Sequence, residues 1–197
     1  MNIIIASNNK GKIKEFKKIL EPLGYNVFSQ SETGVNIEVE ETGTTFEENA
    51  KLKARAIYNL KHTAVLADDS GIVVDYLNGE PGIYSARYMG LQTDEERRRC
   101  VLYKMKDAKK EDRTARYVCC ICYIEENGKE NIVSTEVVRG TMEGRIGYEI
   151  TGENGFGYDP IFMPNGSDKT VAQMLPEEKN TISHRAMAIQ KLKELLS

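Results

Sequence analysis

Asp68 and Asp69 stand side by side in "LADDSG" (66–71), at the end of an apolar run, with Ser70 and Gly71 directly behind them. Carboxylates at the boundary of a core are costly unless something compensates them, and a cation is the natural partner. A second acidic stretch, "EVEE" (38–41), ends in Glu40 and Glu41. Hard cations such as Mg²⁺ take carboxylate oxygens together with phosphate and water oxygens. One carboxylate of such a set could ligate the metal while another orients or deprotonates a water. Taken alone, "ADDSG" also fits an Asx-turn at a strand end, with Asp69 or Ser70 capping local N–H groups.

Three further stretches carry groups of the right kind. "SNNKGK" (7–12) stands between an apolar run and a helical pattern, where backbone N–H groups and the helix dipole attract anions. Lys10 and Lys12 add charge, and Gly11 allows close backbone approach. The spacing is not that of a Walker A loop, lacking both its leading glycine and its closing hydroxyl. In "GENGFGYDP" (152–160), Gly152, Gly155 and Gly157 permit backbone contact with a ligand, and Phe156 and Tyr158 could stack on a base. No helical pattern follows, so it is no dinucleotide-binding fingerprint. "EEKNTISHR" (177–185) brings Lys179, His184 and Arg185 to a helix start capped by Ser183. Basic groups suit that end of a helix poorly unless an anionic or carbonyl ligand joins them. Phosphate donors, metal carboxylates, a stacking aromatic and base-edge donors together point to a metal-dependent nucleotide-binding protein.

The elements that must position these groups follow from periodicity. "NIIIA" (2–6) reads as a buried strand, and Ile13, Phe16, Ile19, Leu20 and Leu23 recur at helical spacing up to Gly24. "YNVFS" and "VNIEVE" read as second and third strands, the latter by strict alternation of Val35, Ile37 and Val39. "TTFEENAKLKARAIYNLKH" reads as a strong helix with a capping box, Thr44 with Glu47 or Thr45 with Glu48. "AVLA" and "IVVDY" read as two strand pieces flanking the aspartates. Thr93 and Glu96 cap another helix, residues 114–125 and 130–139 form a hairpin around "EENGKE", and a last helix follows Ser183. Interleaved helices and strands with a hairpin in the middle predict an α/β fold with a mixed sheet.

Composition sets the limits. The chain has 197 residues, 29% charged, with a net charge of −3. That balance argues against a broad nucleic-acid or anionic-membrane footprint but allows a local basic pocket. No apolar run approaches the roughly 20 residues of a membrane-spanning helix, and no secretion signal is expected, so the expected location is cytoplasmic. Cys100, Cys119, Cys120 and Cys122 form no spaced framework, and three of them crowd one strand, as reduced core cysteines would. One domain, residues 1–197, is expected.

The stretches "SNNKGK", "EETGTTFEENAKLKARA", "ADDSGIVVDYLNGEPGIYSARY", "GFGYDPIF" and "EEKNTISHR" occur in an order that resembles the inosine/xanthosine triphosphate pyrophosphatases. The likeness runs from Ile3 to the last helix. Only the helix at 93–106 and the hairpin carry no signature. The resemblance implies an elongated mixed sheet flanked by helices, two lobes around a central cleft, and a homodimer. It implies Mg²⁺-dependent hydrolysis of ITP, dITP and XTP to the monophosphate and pyrophosphate, with no nucleic-acid or membrane partner. By position it assigns Ser7, Asn8, Asn9, Lys10, Gly11 and Lys12 to the triphosphate, Asn8 standing where glycine is common. Lys53 and Ser70 become substrate contacts, as do Phe156, Gly157, Tyr158, Asp159, Lys179, His184 and Arg185. Glu40, Asp68 and Asp69 become metal ligands, with Glu41 an adjacent competitor and Asp69 the proton acceptor. Donors from Arg185, His184 or nearby backbone N–H groups would pair with the 6-keto group and oppose the 6-amino group of adenine. A pyrophosphatase for other modified nucleotides and a nucleotide-sensing module are the alternatives.

Overall fold

The computed structural model describes residues 1–127 and 132–196. Its strands are β1 (Asn2–Ile5), β2 (Asn26–Ser29), β3 (Val65–Val74), β4 (Thr114–Asn127), β5 (Ile132–Ile146) and β6 (Phe162–Pro164). Its helices are α1 (Lys10–Leu20), α2 (Phe46–Lys61), α3 (Asp94–Lys104), α4 (Pro176–Ile182) and α5 (His184–Leu196). The sheet runs β2-β1-β3-β4-β5-β6. β1 is parallel to both β2 and β3, whereas β5 and β6 are antiparallel, so the sheet is mixed, as expected.

The chain divides into two compact units. The first comprises residues 1–69, 119–140 and 185–197, the second 70–118 and 141–184. In the first, "NIII" is apolar at consecutive positions because both faces of its strand are covered. Ile3 and Ile5 join Leu66, Cys119, Ile121 and Tyr123 under Phe16 and Leu20 of α1 and Ala188, Ile189 and Leu192 of α5. Ile4 and Ala6 join Val65, Ala67, Cys122 and Ile124 under Ala50, Ala54, Ile57 and Tyr58 of α2. The second unit is built around Ile72 and Val74 of β3, Val101 of α3 and Met105 at its end, Ala115 and Tyr117 of β4, and Tyr158, Ile161 and Phe162. All four cysteines are free and three are buried, the hydrophobe role expected of them.

Several expectations need correction. "VNIEVE" forms no strand. Gln30 takes over its backbone, accepting from Val35 N–H and donating to Ile37 O, and Ile37 is exposed. Alternation alone does not make a strand: here the backbone groups of Val35 and Ile37 are taken by Gln30 instead of a sheet neighbour. The two pieces around the aspartates are one continuous ten-residue strand, β3. Residues 176–182 form a short helix of their own, α4, so Ser183 separates two helices. Lys10 to Lys12 belong to the first turn of α1, and of the two capping boxes weighed for α2, the Thr45 hydroxyl accepting from Glu48 N–H is present. The expected turn at 125–130 lies partly outside the described residues, and β6 had no counterpart in the sequence reading.

Candidate active site

Strand β3 decides where the aspartates go. Side chains alternate along a strand, so Asp68 follows Leu66 to the side covered by α1 and α5. Asp69 follows Val65 and Ala67 to the side covered by α2. Asp68 meets Lys12 Nζ at 3.0 Å, and Arg185 Nε lies 3.6 Å away. Arg185, itself buried, also donates to Glu15 on α1 at 2.7 Å. Burial pushes the Asp68 carboxyl up, but Lys12, Arg185 and Lys53 outweigh it and hold the group well below the usual carboxylate range.

The loop at 7–12 is shaped by its own side chains. The Ser7 hydroxyl accepts from Asn9 N–H at 3.1 Å, and Asn9 caps α1 by accepting from Lys12 N–H at 3.1 Å. Lys10 and Gly11 sit in the first turn, where helical geometry supplies no intrahelical acceptor for their amides. Asn8 and Lys10 are exposed.

On the other side, Asp69 accepts from Asn49 Nδ2 and Lys53 Nζ, both at 3.2 Å. Lys53 also donates to Glu41 at 2.7 Å. The Asn49 oxygen accepts from Gly43 N–H at 2.8 Å, and a Cβ at Gly43 would sit 2.6 Å from that oxygen, which accounts for the glycine. Burial raises the Asp69 proton affinity. Lys53 and Lys12 oppose the rise, Glu41 and Asp68 reinforce it, and the net shift is upward. Asn49 escaped the sequence reading, although it stands four residues before Lys53 and so on the same helical face.

The second unit holds the aromatic group. Asp159 is buried and accepts from Phe156 N–H (2.9 Å), Tyr117 Oη (3.1 Å) and Lys179 Nζ (2.7 Å). Lys179 Nζ lies 4.9 Å from the Phe156 ring centroid. Tyr117, also missed in the sequence, stacks on His184 with centroids 4.7 Å apart and planes 7° from parallel. Tyr158 is a core residue whose hydroxyl donates to Ser85 O. The loop glycines answer mostly to internal packing: a Cβ on Gly155 would collide with the Asp159 carboxylate and one on Gly152 with the Ala172 carbonyl. Only at Gly157 is the space open. Ser70 is half-buried and follows in β3.

The profile of the Ham1 family matches residues 3–195. The chain belongs to the Ham1 family. This Ham1-family chain is 51% identical over 194 residues to a dITP/XTP pyrophosphatase of Bacillus subtilis, covering 98% of this chain and 96% of the relative. The solved structure of the Staphylococcus aureus Ham1 protein superposes with a TM-score of 0.84 at 47% identity, covering 100% of this chain and 98% of that one. A dITP/XTP pyrophosphatase structure from Mycobacterium abscessus gives 0.75 at 39% identity, with 98% of both chains covered.

Among the described residues no group of three or more His, Cys, Asp or Glu is gathered as a metal site. The carboxylates present still suit a hard cation. Asp69 and Glu41 already share one positive group, the Lys53 ammonium, at 3.2 and 2.7 Å. Mg²⁺ is commonly held by one or two carboxylates, with water and substrate phosphates supplying the rest. Glu40 is exposed, and its carbonyl accepts from Thr42 N–H.

Proposed function

We propose that this protein hydrolyses non-standard purine nucleoside triphosphates (dITP, ITP and XTP) to the monophosphate and pyrophosphate. The observation that carries the reading is Asp69: a buried carboxylate with raised proton affinity, oriented by Asn49 and Lys53, in a Ham1-family chain. The name of the Bacillus subtilis relative supports the substrate class.

Asp69 accepts the proton of a water whose oxygen attacks the α-phosphorus. The bond to the bridging oxygen breaks, and pyrophosphate leaves. Asn49 fixes the carboxylate plane. Lys12 and Lys53 balance charge on the phosphates, and the amides of the Asn9–Lys12 turn contact their oxygens. Asp69 and Glu41, with Glu40 beside it, would hold Mg²⁺, whose chemistry there is charge neutralisation and polarisation of phosphate oxygens. Asp68 keeps Lys12 and Arg185 in place. Phe156 stacks the base, and Lys179, His184 and nearby backbone amides face its keto groups. The Arg185 guanidinium is engaged by Glu15 and lies near Asp68, which moves it from base reading toward holding Asp68 as an anion.

Purified protein should release pyrophosphate from ITP, dITP and XTP in the presence of Mg²⁺, and much more slowly from ATP. Orthophosphate as first product, or equal rates on ATP and ITP, would sink the reading. ITP binding without turnover would favour a sensing module. The resemblance also implies a cytoplasmic homodimer. Sedimentation equilibrium at about twice the 22.2 kDa chain mass would bear out the dimer, and a monomer would remove it.

A further inference from the structure

Helix α3, the one helix without a sequence signature, takes hold of the Gly-rich loop. Asp94 Oδ2 accepts from Gly157 N–H at 2.9 Å, and Arg98 Nη1 donates to Gly157 O at 2.7 Å. The two side chains are four residues apart and so share a helical face. Arg97 steadies the pair, donating to Asp94 at 2.6 Å and to Leu91 O at 2.7 Å. The preceding amide, that of Phe156, ends on Asp159. Successive backbone N–H groups therefore each meet a carboxylate, and the carbonyl between this segment and Tyr158 meets a guanidinium. Bonds of this charge-assisted kind are stronger than neutral ones. They hold Gly157 at φ +58°, in the left-handed region.

α3 also has apolar anchors of its own: Val101 in its second half and Met105, its C-cap, are fully buried. A purely structural role would also leave unexplained why both polar groups of one loop residue are taken by ionised side chains. We propose that Asp94 and Arg98 are positioning residues that set the Phe156 platform and thereby the affinity for the purine part of the substrate. The proposal rests on the reading of Phe156 as the base-stacking residue.

The test compares Asp94→Ala, Arg98→Met and the conservative Asp94→Asn, whose side-chain oxygen can still accept from Gly157 N–H. For Asp94→Ala and Arg98→Met, the KM for ITP should rise about tenfold, a partial loss of base stacking, with kcat within about twofold. Inhibition by inorganic tripolyphosphate, which has no base, should stay unchanged. Amide hydrogen exchange at Gly157 should speed up in Asp94→Ala and return close to the wild-type rate in Asp94→Asn. An unchanged KM overturns the proposal. So does a KM that worsens in step with tripolyphosphate inhibition, or an Asp94→Asn variant as impaired as Asp94→Ala. If the wild-type protein fails to hydrolyse ITP, the activity reading fails separately. Calorimetry with inosine 5′-monophosphate then decides the platform: about tenfold weaker binding in the two variants upholds it, and equal binding overturns it.

Discussion

Asp68 and Asp69 are neighbours in one strand, yet they live in different electrostatic worlds. Asp68 faces α1 and α5, with Lys12 in contact and the buried Arg185 close by. Asp69 faces α2, where the Lys53 ammonium that it meets is shared with a second acid, Glu41. Burial raises the proton affinity of both. At Asp68 the cations Lys12, Arg185 and Lys53 overturn that effect; at Asp69 Lys53 and Lys12 do not. The pair is therefore not a dyad sharing a proton. Strand alternation separates it into a fixed anion that holds cations and an ionisable group suited to taking a proton.

The largest effect on stability should come from Asp68. Asp68→Asn leaves the buried Arg185 short of a countercharge, and losing one partner of a buried pair costs about 3–5 kcal/mol. At roughly 2–4 °C per kcal/mol for a chain of this size, thermal melting should show a fall of about 10 °C. A fall of only a degree or two would mean that Glu15 alone satisfies Arg185 and would blur the contrast. The pH dependence sharpens it. The lowered Asp68 value contributes stability that is present above the unfolded carboxylate value of about 3.9 and lost as pH falls through the folded value. The raised Asp69 value has the opposite sign: its contribution is present below about 3.9 and lost as pH rises through the folded value. Asp68→Asn should thus lose part of the acid sensitivity of the wild-type protein. Asp69→Asn should gain on the wild type as pH rises from about 3.9 through the folded value of Asp69. Parallel stability curves for the two variants would break the comparison.

Next in size is Asn49→Ala. It strips an acceptor from Gly43 N–H and a donor from Asp69, at about 1–3 kcal/mol for buried groups left unsatisfied. Turnover should fall together with stability, whereas a lower melting point with intact turnover would make Asn49 a packing residue only. The smallest effect is expected from Thr45→Ala, which removes the N-cap of α2 at about 1 kcal/mol. Because α2 also carries Asn49 and Lys53, slightly lowered activity at elevated temperature is the outcome expected of a frayed first turn.

The sequence showed these groups better than it showed their surroundings. Lys12, Lys53, Asp69 and Phe156 could be proposed from the sequence because residue type and motif spacing are local. Their partners could not be. Glu15 reaches Arg185 across 170 positions, and Tyr117 reaches Asp159 across 42, contacts that only the packed sheet creates. Asn49 was within reach, since its spacing from Lys53 is a helical turn. The same limit explains the strand errors. Asp, Ser and Gly disfavour strands, yet in β3 the aspartates are compensated from neighbouring helices and pairing carries the backbone through. The alternation at 35–40, formally better, lost its backbone groups to Gln30.

The division of labour between the two aspartates is tested most directly by ITP turnover of Asp69→Asn, measured below its melting temperature with ITP binding recorded alongside. Loss of an acid–base group is commonly worth about 10²–10⁴-fold, so turnover should collapse by at least about a hundredfold. The melting temperature should not fall below wild type, and ITP affinity should stay near it. Near-wild-type turnover would contradict the assignment of the proton to Asp69 and return the question to its neighbour.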